Sequence, residues 1–336
     1  MINKYFDSKE HIFLIGKKGP PSQPVPNNVI HCHGIIRKSF LVHRLYNAQR
    51  IYLHGLYDSH FLYLLFLQPW LLKKCYWLIW GDDLYQHLTP PKSTRRIIKE
   101  KIRSFLIHRF GHIVTYIKGD YNLAQKWYGA KGKLHECLLY ESNTYTGPSV
   151  IQSKTDGHTR IIVGNSAYPR NNHYDALDKI KKYADSQVII YAPLSYGPPS
   201  EAKKVSAYGH HILGAQFIPL TEFMPINEYN RLLATIDIGI FNQDRQQAMG
   251  NMITLLGMGK TVYIKPGTTP WNLFSSIGFK IKDANEFDMS LLDPESILNN
   301  IELAKKHFSK NALIEQYAAL FDIKGHALPK SAENNK

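Results

Sequence analysis

Three short stretches of this chain carry residue types that bind anions or move protons. The first is Val163-Gly164-Asn165-Ser166-Ala167-Tyr168, followed by Asn171-Asn172-His173. An apolar strand ends at Gly164, a helix is expected after it, and free amides at a helix start can hold a phosphate. A plain strand-to-helix turn with Asn as the helix cap fits the same residues, because the full glycine fingerprint of dinucleotide sites is missing.

The second stretch is Asn242-Gln243-Asp244-Arg245-Gln246-Gln247-Ala248-Met249-Gly250-Asn251. It follows an apolar strand and opens an amphipathic helix. Arg245 can form a bidentate pair with a diphosphate, and helix-end amides add partial positive charge. A run of Arg, Gln and Asn is costly to bury without partners, so solvent or a ligand must satisfy it. An exposed polar loop is the competing reading.

The third is Trp77-Leu78-Ile79-Trp80-Gly81-Asp82-Asp83-Leu84-Tyr85. A carboxylate at the end of an apolar strand, among Trp and Tyr, can have a raised pKa and act as a general base. Capping the following turn is the commoner fate of such an Asp. Adjacent carboxylates are not the spaced Asp-x-Asp pattern of metal-dependent transfer enzymes, so no metal is expected, and nothing in the chain calls for a cofactor. Lesser signals are His54-Gly55-Leu56, Lys118-Gly119-Asp120 and Pro193-Leu194-Ser195-Tyr196-Gly197. Singly each reads as a turn. All sit at strand ends, and that shared placement strengthens each of them.

The elements that must position these residues alternate. The first half predicts strands over 11–16, 29–33, 50–54, 75–80, 112–117 and 136–140, with helices over 39–47, 59–67, 93–110 and 121–128. A polar stretch without period, 141–159, reads as a linker. The second half predicts strands over 160–163, 187–191, 211–212, 236–241, 261–264 and 278–281, with helices over 173–184, 199–209, 227–235, 246–258, 270–276, 293–308 and 311–322, and a polar tail from Gly325. This order implies two α/β domains, each with a mostly parallel, doubly wound sheet of the Rossmann type. Ligands of open α/β sheets bind at the carboxyl ends of the strands, so a cleft between two such edges is expected.

Length supports the division, since 336 residues exceed what one core usually organises. Three cysteines, Cys32, Cys75 and Cys137, are too few and too scattered for a disulfide framework or zinc site, and fit a reducing compartment. The stretch Met1–Asp7 is polar and lacks an apolar run, so a secretory leader is not expected. The apolar window over 61–80 is broken by Gln68, Pro69, Lys73 and Lys74, so it reads as helix, break and buried strand, not a membrane span.

The net charge of +14 lies almost wholly in residues 1–140, which carry 21 Lys and Arg against 8 Asp and Glu. Such asymmetry points to a polyanion or an anionic membrane; nucleic acid is the other standard reading. The segment over 93–112 concentrates it. Ile98, Ile102, Phe105, Leu106 and Phe110 have helical spacing, and Arg95, Arg96, Lys99 and Arg103 supply charge. A core helix with a solvated basic face, and a helix resting on anionic headgroups, both fit.

With these motifs in place, the chain resembles the bacterial 4-acetamido-4,6-dideoxygalactosyltransferases, glycosyltransferase family 56. The resemblance spans nearly the whole chain: His54-Gly55, Trp80-Gly81-Asp82-Asp83-Leu84-Tyr85, Val163-Gly164-Asn165-Ser166, Arg245-Gln246-Gln247 and Gly250. It implies a GT-B fold and metal-independent transfer from a dTDP-linked 4-acetamido-4,6-dideoxygalactose. It also implies an undecaprenyl-diphosphate-linked saccharide acceptor on the cytoplasmic face of the bacterial inner membrane, in enterobacterial common antigen assembly, with no nucleic acid partner. Two departures stand out. The family usually has a strand and helix ahead of the segment matching 2–16, so the first sheet is expected to lack a strand. Asp82 stands where small residues are usual, which leaves Asp83 as the match to the family carboxylate.

The expected mechanism divides the labour. Residues 160–325 bind the nucleotide sugar through Gly164, Asn165, Ser166, Tyr196, Arg245, Gln246, Gln247, Gly250 and Asn251. Oriented donors there stabilise the leaving diphosphate. Residues 1–145 bring the acceptor, with Asp83 or, as the second choice, His54 taking the hydroxyl proton. Closure of the two domains would exclude water from the reaction. Transfer of another nucleotide sugar in O-antigen or capsule assembly is the near alternative, and a non-catalytic basic binding module the distant one.

Overall fold

The computed structural model describes residues 1–16, 26–31, 36–91, 93–145, 147, 157–183 and 187–322, without the side chains of 36–40. Cys32, Lys92, the middle of the expected linker and the tail from Gly325 lie outside the described residues. The chain forms two compact units: Met1–Tyr116, Asp120–Leu139 and Ile314–Lys336 make one, and Ile117–Gly119 with Tyr140–Leu313 make the other. Among the described residues no helix is long and apolar enough to cross a membrane.

In the first unit, β1 (Phe13–Ile15) and β2 (Val29–His31) pair as a small parallel sheet. A second parallel sheet has the order β3 (Ile51–His54), β4 (Cys75–Leu78), β5 (His112–Val114), β6 (Lys133–His135). Its helices are α1 (Ile2–Tyr5), α2 (Ile36–Asn47), α3 (Ser59–Phe66), α4 (Asp82–Tyr85), α5 (Thr94–Arg109) and α6 (Lys118–Tyr128). Strand periodicity puts Leu53, Trp77 and Ile113 on one face, where they join a core with Leu62 and Leu65 of α3, Leu106 and Ile107 of α5 and Ala124 of α6. On the other face Tyr52 donates its hydroxyl to the Leu320 carbonyl at 3.2 Å, and its ring meets Phe321 edge-on at 5.5 Å. Both faces of the sheet are therefore covered, as parallel sheets require. The apolar stretch over 61–80 resolves into α3, a 3-10 turn over Pro69–Lys74, and the fully buried β4.

The second unit has one six-stranded parallel sheet. Its strands are β7 (Thr159–Val163), β8 (Val188–Pro193), β9 (Phe217–Leu220), β10 (Ile238–Phe241), β11 (Thr261–Ile264) and β12 (Lys282–Asp283). Across the sheet they run β9-β8-β7-β10-β11-β12. The chain winds outward from β7 in one direction, then returns to β7's other side and winds the opposite way. The reversal between β7 and β10 is the topological switch point where such sheets bind ligands. The helices are α7 (His173–Lys181), α8 (Pro199–Leu213), α9 (Ile226–Thr235), α10 (Met249–Gly257), α11 (Thr269–Ile277), α12 (Pro294–His307) and α13 (Lys310–Phe321), the last ending in the first unit. Ile161, Val163, Ile190, Ile238 and Ile240 form the sheet side of the core, with Leu177 and Ile180 of α7 and Val205 and Leu213 of α8.

Three expected strands are corrected. The one expected over 278–281 lies later, at Lys282–Asp283, because Gly278 ends α11 in a left-handed turn at φ 102°. Residues 211–212 continue α8, because Val205, Gly209 and Leu213 repeat every four positions on its buried side, and the strand follows at Phe217. The strand expected over 136–140 lies earlier, at Lys133–His135. The apolar run Cys137-Leu138-Leu139 is buried, but Leu139 turns left-handed at φ 72°, which ends extended pairing. Side chains of α13 serve that backbone instead: Leu138 N–H donates to Gln316 Oε1 at 2.8 Å, and Tyr317 donates to the Leu139 carbonyl at 2.7 Å.

Candidate functional site

The switch point of the second unit joins the two polar stretches. Gly164 N–H, at the end of β7, donates to the Ile240 carbonyl of β10 at 2.9 Å. Beyond it, Gln247 donates its amide to Asn165 Oδ1 at 2.8 Å and to Ser166 Oγ at 3.1 Å. Asn172 donates to the Asn242 carbonyl at 2.9 Å and to Asp244 Oδ2 at 3.0 Å. Asn242 donates to Asp175 Oδ2 at 2.6 Å.

Asn171 is the hub of this network and is fully enclosed. Its amide donates to the Ser166 and Tyr168 carbonyls and to Ser166 Oγ, within 2.9–3.0 Å. Its oxygen accepts from Asn165 N–H at 3.2 Å and from Gln243 at 3.3 Å. Most of these bonds set the shape of its own loop, and the one from Gln243 ties that loop to the one after β10. A side chain at Gly164 would break this arrangement. Gly164 has φ +66°, and a Cβ there would stand 2.8 Å from Asn171 Oδ1 and 3.0 Å from His173 Nε2.

Several polar atoms in the same place are buried without a hydrogen-bond partner: His173 Nε2, Asn242 Oδ1, Gln246 Oε1 and Gln247 Oε1. Burial pushes the His173 imidazole down to about 4, so it is neutral near pH 7. Orphaned buried polar atoms are rare in folded proteins, and a cluster of them marks a place where a ligand or ordered water completes the bonding. Arg245 lies almost wholly buried beside them in sequence and brings a cation. Lys265, after β11, pairs with Asp244 at 2.5 Å. The result is a polar cluster with one buried guanidinium, suited to an anionic ligand that also offers hydroxyl or N–H donors.

The remaining expected residues of this unit have mixed placements. Tyr196 is exposed and meets Tyr168 edge-on at 5.6 Å, and its carbonyl accepts from Ala167 N–H at 2.7 Å, so it stands at the same carboxyl edge. Asn251 is turned to α9, donating to the Tyr229 hydroxyl at 2.8 Å. Gly250 owes its identity to packing: a Cβ there would lie 2.3 Å from the Ser142 carbonyl. The helix expected from 246 begins at Met249, after Ala248 in a left-handed conformation at φ 60°, which leaves Arg245, Gln246 and Gln247 in the loop. The hub Asn171 and Lys265 were not among the expected site residues. Asn171 sat in plain view in the first motif, whereas Lys265 carries no local signal and enters only through the strand order.

The carboxyl edge of the first unit departs from expectation at its central residue. Asp83 is fully enclosed. Its Oδ2 accepts from Trp77 Nε1 at 2.7 Å and its Oδ1 from Trp80 N–H at 3.0 Å. Burial raises its pKa, while those bonds and the nearby Arg103 charge oppose the rise. Each oxygen already accepts a hydrogen bond and the side chain is enclosed, so Asp83 braces the loop, against the expectation of a solvent-facing general base. Exposed at the same edge are Asp82, at the start of α4, and His54, at the end of β3. Desolvation by surrounding protein lowers the His54 pKa, which keeps the ring neutral and able to accept a proton.

The basic helix α5 also divides. Arg95 and Arg96 are exposed, as is Lys101, with Ile97 and Ile98 between them. Lys99 is half-buried and donates to the Tyr57 carbonyl at 3.2 Å. Arg103 is enclosed: it donates to Glu100 Oε2 at 2.8 Å and to the Tyr128 hydroxyl at 2.7 Å. It therefore leaves the set of residues able to meet a surface. Phe110 and half-buried Phe105 belong to the core, and Arg109 lies 4.0 Å above the Phe105 ring. Among the described residues no group of three His, Cys, Asp or Glu is placed to hold a metal ion.

Most of the chain is similar in fold to several solved glycosyltransferases. Sucrose-phosphate synthase from Thermosynechococcus elongatus superposes with a TM-score of 0.60 at 12% identity, over 85% of this chain and 76% of that one. HepE from Anabaena, solved with UDP and glucose, gives 0.58 at 13% identity, over 88% and 85%. WaaG, a glycosyltransferase involved in lipopolysaccharide biosynthesis, gives 0.58 at 10% identity, over 90% and 89%. The architecture is thus the α/β GT-B fold of these enzymes. The family model of the 4-alpha-L-fucosyltransferases, glycosyl transferase group 56, matches residues 28–275, which include the switch-point loops, β3 and β4, and so the chain belongs to this family of glycosyltransferases.

Proposed function

We propose that the chain transfers 4-acetamido-4,6-dideoxygalactose from a dTDP-sugar to an undecaprenyl-diphosphate-linked saccharide, in a bacterial surface polysaccharide pathway of the enterobacterial common antigen type. The observation that carries this reading is the switch point. Two loops from β7 and β10 are locked together around Asn171, with buried acceptors lacking donors and a buried arginine in the same loop. A nucleotide sugar offers what such a cluster asks for: phosphates for Arg245, and hydroxyl and N–H donors for Asn242, Gln246 and Gln247. HepE was solved with UDP-glucose, which supports a donor of this class.

In this reading residues 160–325 bind the donor and residues 1–145 the acceptor. Arg245 and the loop amides stabilise the charge that grows on the leaving diphosphate, which is the main rate effect in such transfers. The neutral imidazole of His54 takes the proton from the acceptor hydroxyl, in place of the enclosed Asp83. The excess of basic residues over 1–140 attracts a lipid diphosphate lying in an anionic inner-membrane surface.

The decisive experiment is a donor panel. Several dTDP- and UDP-sugars are offered with a lipid-diphosphate saccharide, and product is scored by mass. dTDP-4-acetamido-4,6-dideoxygalactose should react fastest. A different preferred donor moves the assignment to another polysaccharide pathway. In parallel, calorimetry on Arg245→Ala should show dTDP affinity weakened by about 1.5–3 kcal/mol, the scale of a charged hydrogen bond. Unchanged affinity in a folded variant removes Arg245 from the phosphate site.

A further inference from the structure

We propose that Trp80 and Tyr57 form an aromatic platform that binds a pyranose ring of a saccharide at the carboxyl edge of the first unit's sheet. The proposal rests on the reading that the chain glycosylates a saccharide acceptor. Tyr57 follows β3 and Trp80 follows β4, which are neighbours in the sheet. Their rings meet edge-on, with centroids 6.0 Å apart. Trp80 is 48% exposed and Tyr57 40%. Two large aromatic side chains gain by burial and are left at the surface here, at the edge where open α/β sheets bind ligands.

The Tyr57 ring and the Trp80 backbone are each positioned by one of the two motifs of this unit. Gly55 has φ +74°, and a Cβ there would lie 2.4 Å from Tyr57 Cε2. The Tyr57 ring therefore lies over the bare glycine, which explains the glycine after His54. Lys99 fixes the Tyr57 carbonyl from α5. On the other strand, the enclosed Asp83 ties the Trp80 N–H to the buried indole of Trp77. Asp83 thus positions Trp80, and the carboxylate of the motif acts through the aromatic residue before it. A surface prepared in this way loses little conformational freedom on binding.

The chemistry selects a saccharide. A pyranose has an apolar C–H face that can lie on an aromatic ring, and a rim of hydroxyls that need acceptors. Asp58 follows Tyr57 and Asp82 follows Trp80 by two residues, and both carboxylates are exposed. Carboxylates accept from hydroxyls and repel phosphate. That combination suits sugar better than an anionic lipid surface or the diphosphate of a nucleotide.

The test titrates a panel of methyl glycosides of neutral and N-acetylated hexose disaccharides into the full chain, followed by tryptophan fluorescence and calorimetry. dTDP calorimetry on the same samples reports the donor site independently. Trp80→Ala should weaken glycoside binding about tenfold, the upper range for one aromatic contact, and abolish the fluorescence change. Trp80→Phe should keep affinity within about threefold. Gly55→Ala should weaken glycoside binding by displacing the Tyr57 ring, while leaving dTDP affinity unchanged. Glycoside affinity that is equal in wild type and Trp80→Ala overturns the platform. So does loss of anionic-vesicle sedimentation by Trp80→Ala with glycoside binding intact, which makes the pair a lipid contact. A wild type that binds glycosides through Trp80 but no nucleotide upholds the platform and removes the donor reading instead.

Discussion

Gln247 reaches across 82 positions of sequence to donate to Asn165 Oδ1 at 2.8 Å. That bond couples the loop after β10 to the loop after β7, and it fixes which part of Gln247 remains for a ligand. Its amide nitrogen is taken by Asn165 and Ser166, and its oxygen is buried without a partner. An acceptor oxygen repels phosphate. Under the proposed reading, Gln247 would then face the sugar or base of the donor, and Arg245 the phosphate.

Gly164 is where this coupling is most easily broken. Its left-handed φ and the 2.8 Å separation from Asn171 Oδ1 leave no room for a methyl group. Gly164→Ala should destabilise the fold by about 1–3 kcal/mol through backbone strain. It should also weaken dTDP binding, since Asn171 must move. Thermal melting and calorimetry on the purified variant check both. A variant with wild-type melting and affinity would mean that the loop adapts without loss.

Asp83→Asn separates a strut from a base. Asn keeps one acceptor oxygen and turns an amide toward the second N–H donor, so one of the two buried bonds is lost. The expected cost is about 1–3 kcal/mol of stability, the desolvation penalty of an unsatisfied buried group. His54→Ala should leave the melting temperature nearly unchanged and cut turnover about 100-fold, the scale of a lost general base. Full stability with lost turnover in Asp83→Asn would return the proton to Asp83.

His173 gives the fold a pH dependence with a definite sign. Its folded pKa of about 4 lies below the ordinary histidine value of 6.5, because burial opposes the charged ring. The unfolded chain therefore binds the proton first as pH falls. Stability contributed by the neutral ring is intact above about pH 6.5 and is lost as pH drops from there toward 4. By pH 5 the loss from this one residue is about 2 kcal/mol. Melting temperatures at pH 7.5 and pH 5 should diverge for the wild type and converge for His173→Gln. An equal divergence in both would assign the effect to other histidines.

Much of this was legible in the chain, for physical reasons that differ by element. β10 and β11 are runs of apolar residues bounded by polar ones, and buried parallel strands leave that trace. The pairing of the two polar stretches was legible only as shared placement at strand ends. Their contact depends on strand order, which no local pattern encodes. Burial of single charges was misread. Arg103 has the spacing of its basic neighbours, yet it turns inward because Glu100 and Tyr128 offer it partners. Asp83 follows Asp82 directly, and the chain holds no mark of which one faces solvent. The Trp77 indole, three residues before Trp80, decides it.

The division of α5 into inward and outward cations leaves one basic surface. Arg95, Arg96 and Lys101 remain exposed around Ile97 and Ile98, which are 41% and 50% exposed. Residues three and four apart share a helix face, so Lys101 stands beside both isoleucines. Apolar side chains ringed by cations suit the boundary of an anionic bilayer. Each cation near such a surface contributes about 1 kcal/mol, and salt screens it. Changing all three to Gln should reduce sedimentation with phosphatidylglycerol vesicles by about 3 kcal/mol at low salt, without altering dTDP affinity or melting temperature. Arg103→Gln should behave in the opposite way. It leaves Glu100 partly buried without its cation, so it should destabilise the fold by about 3–5 kcal/mol and not weaken vesicle binding by the remaining folded protein. Equal sedimentation of the wild type and the triple variant would remove α5 as the contact. Tighter binding to duplex DNA than to the vesicles, at the same salt, would give the basic face to nucleic acid.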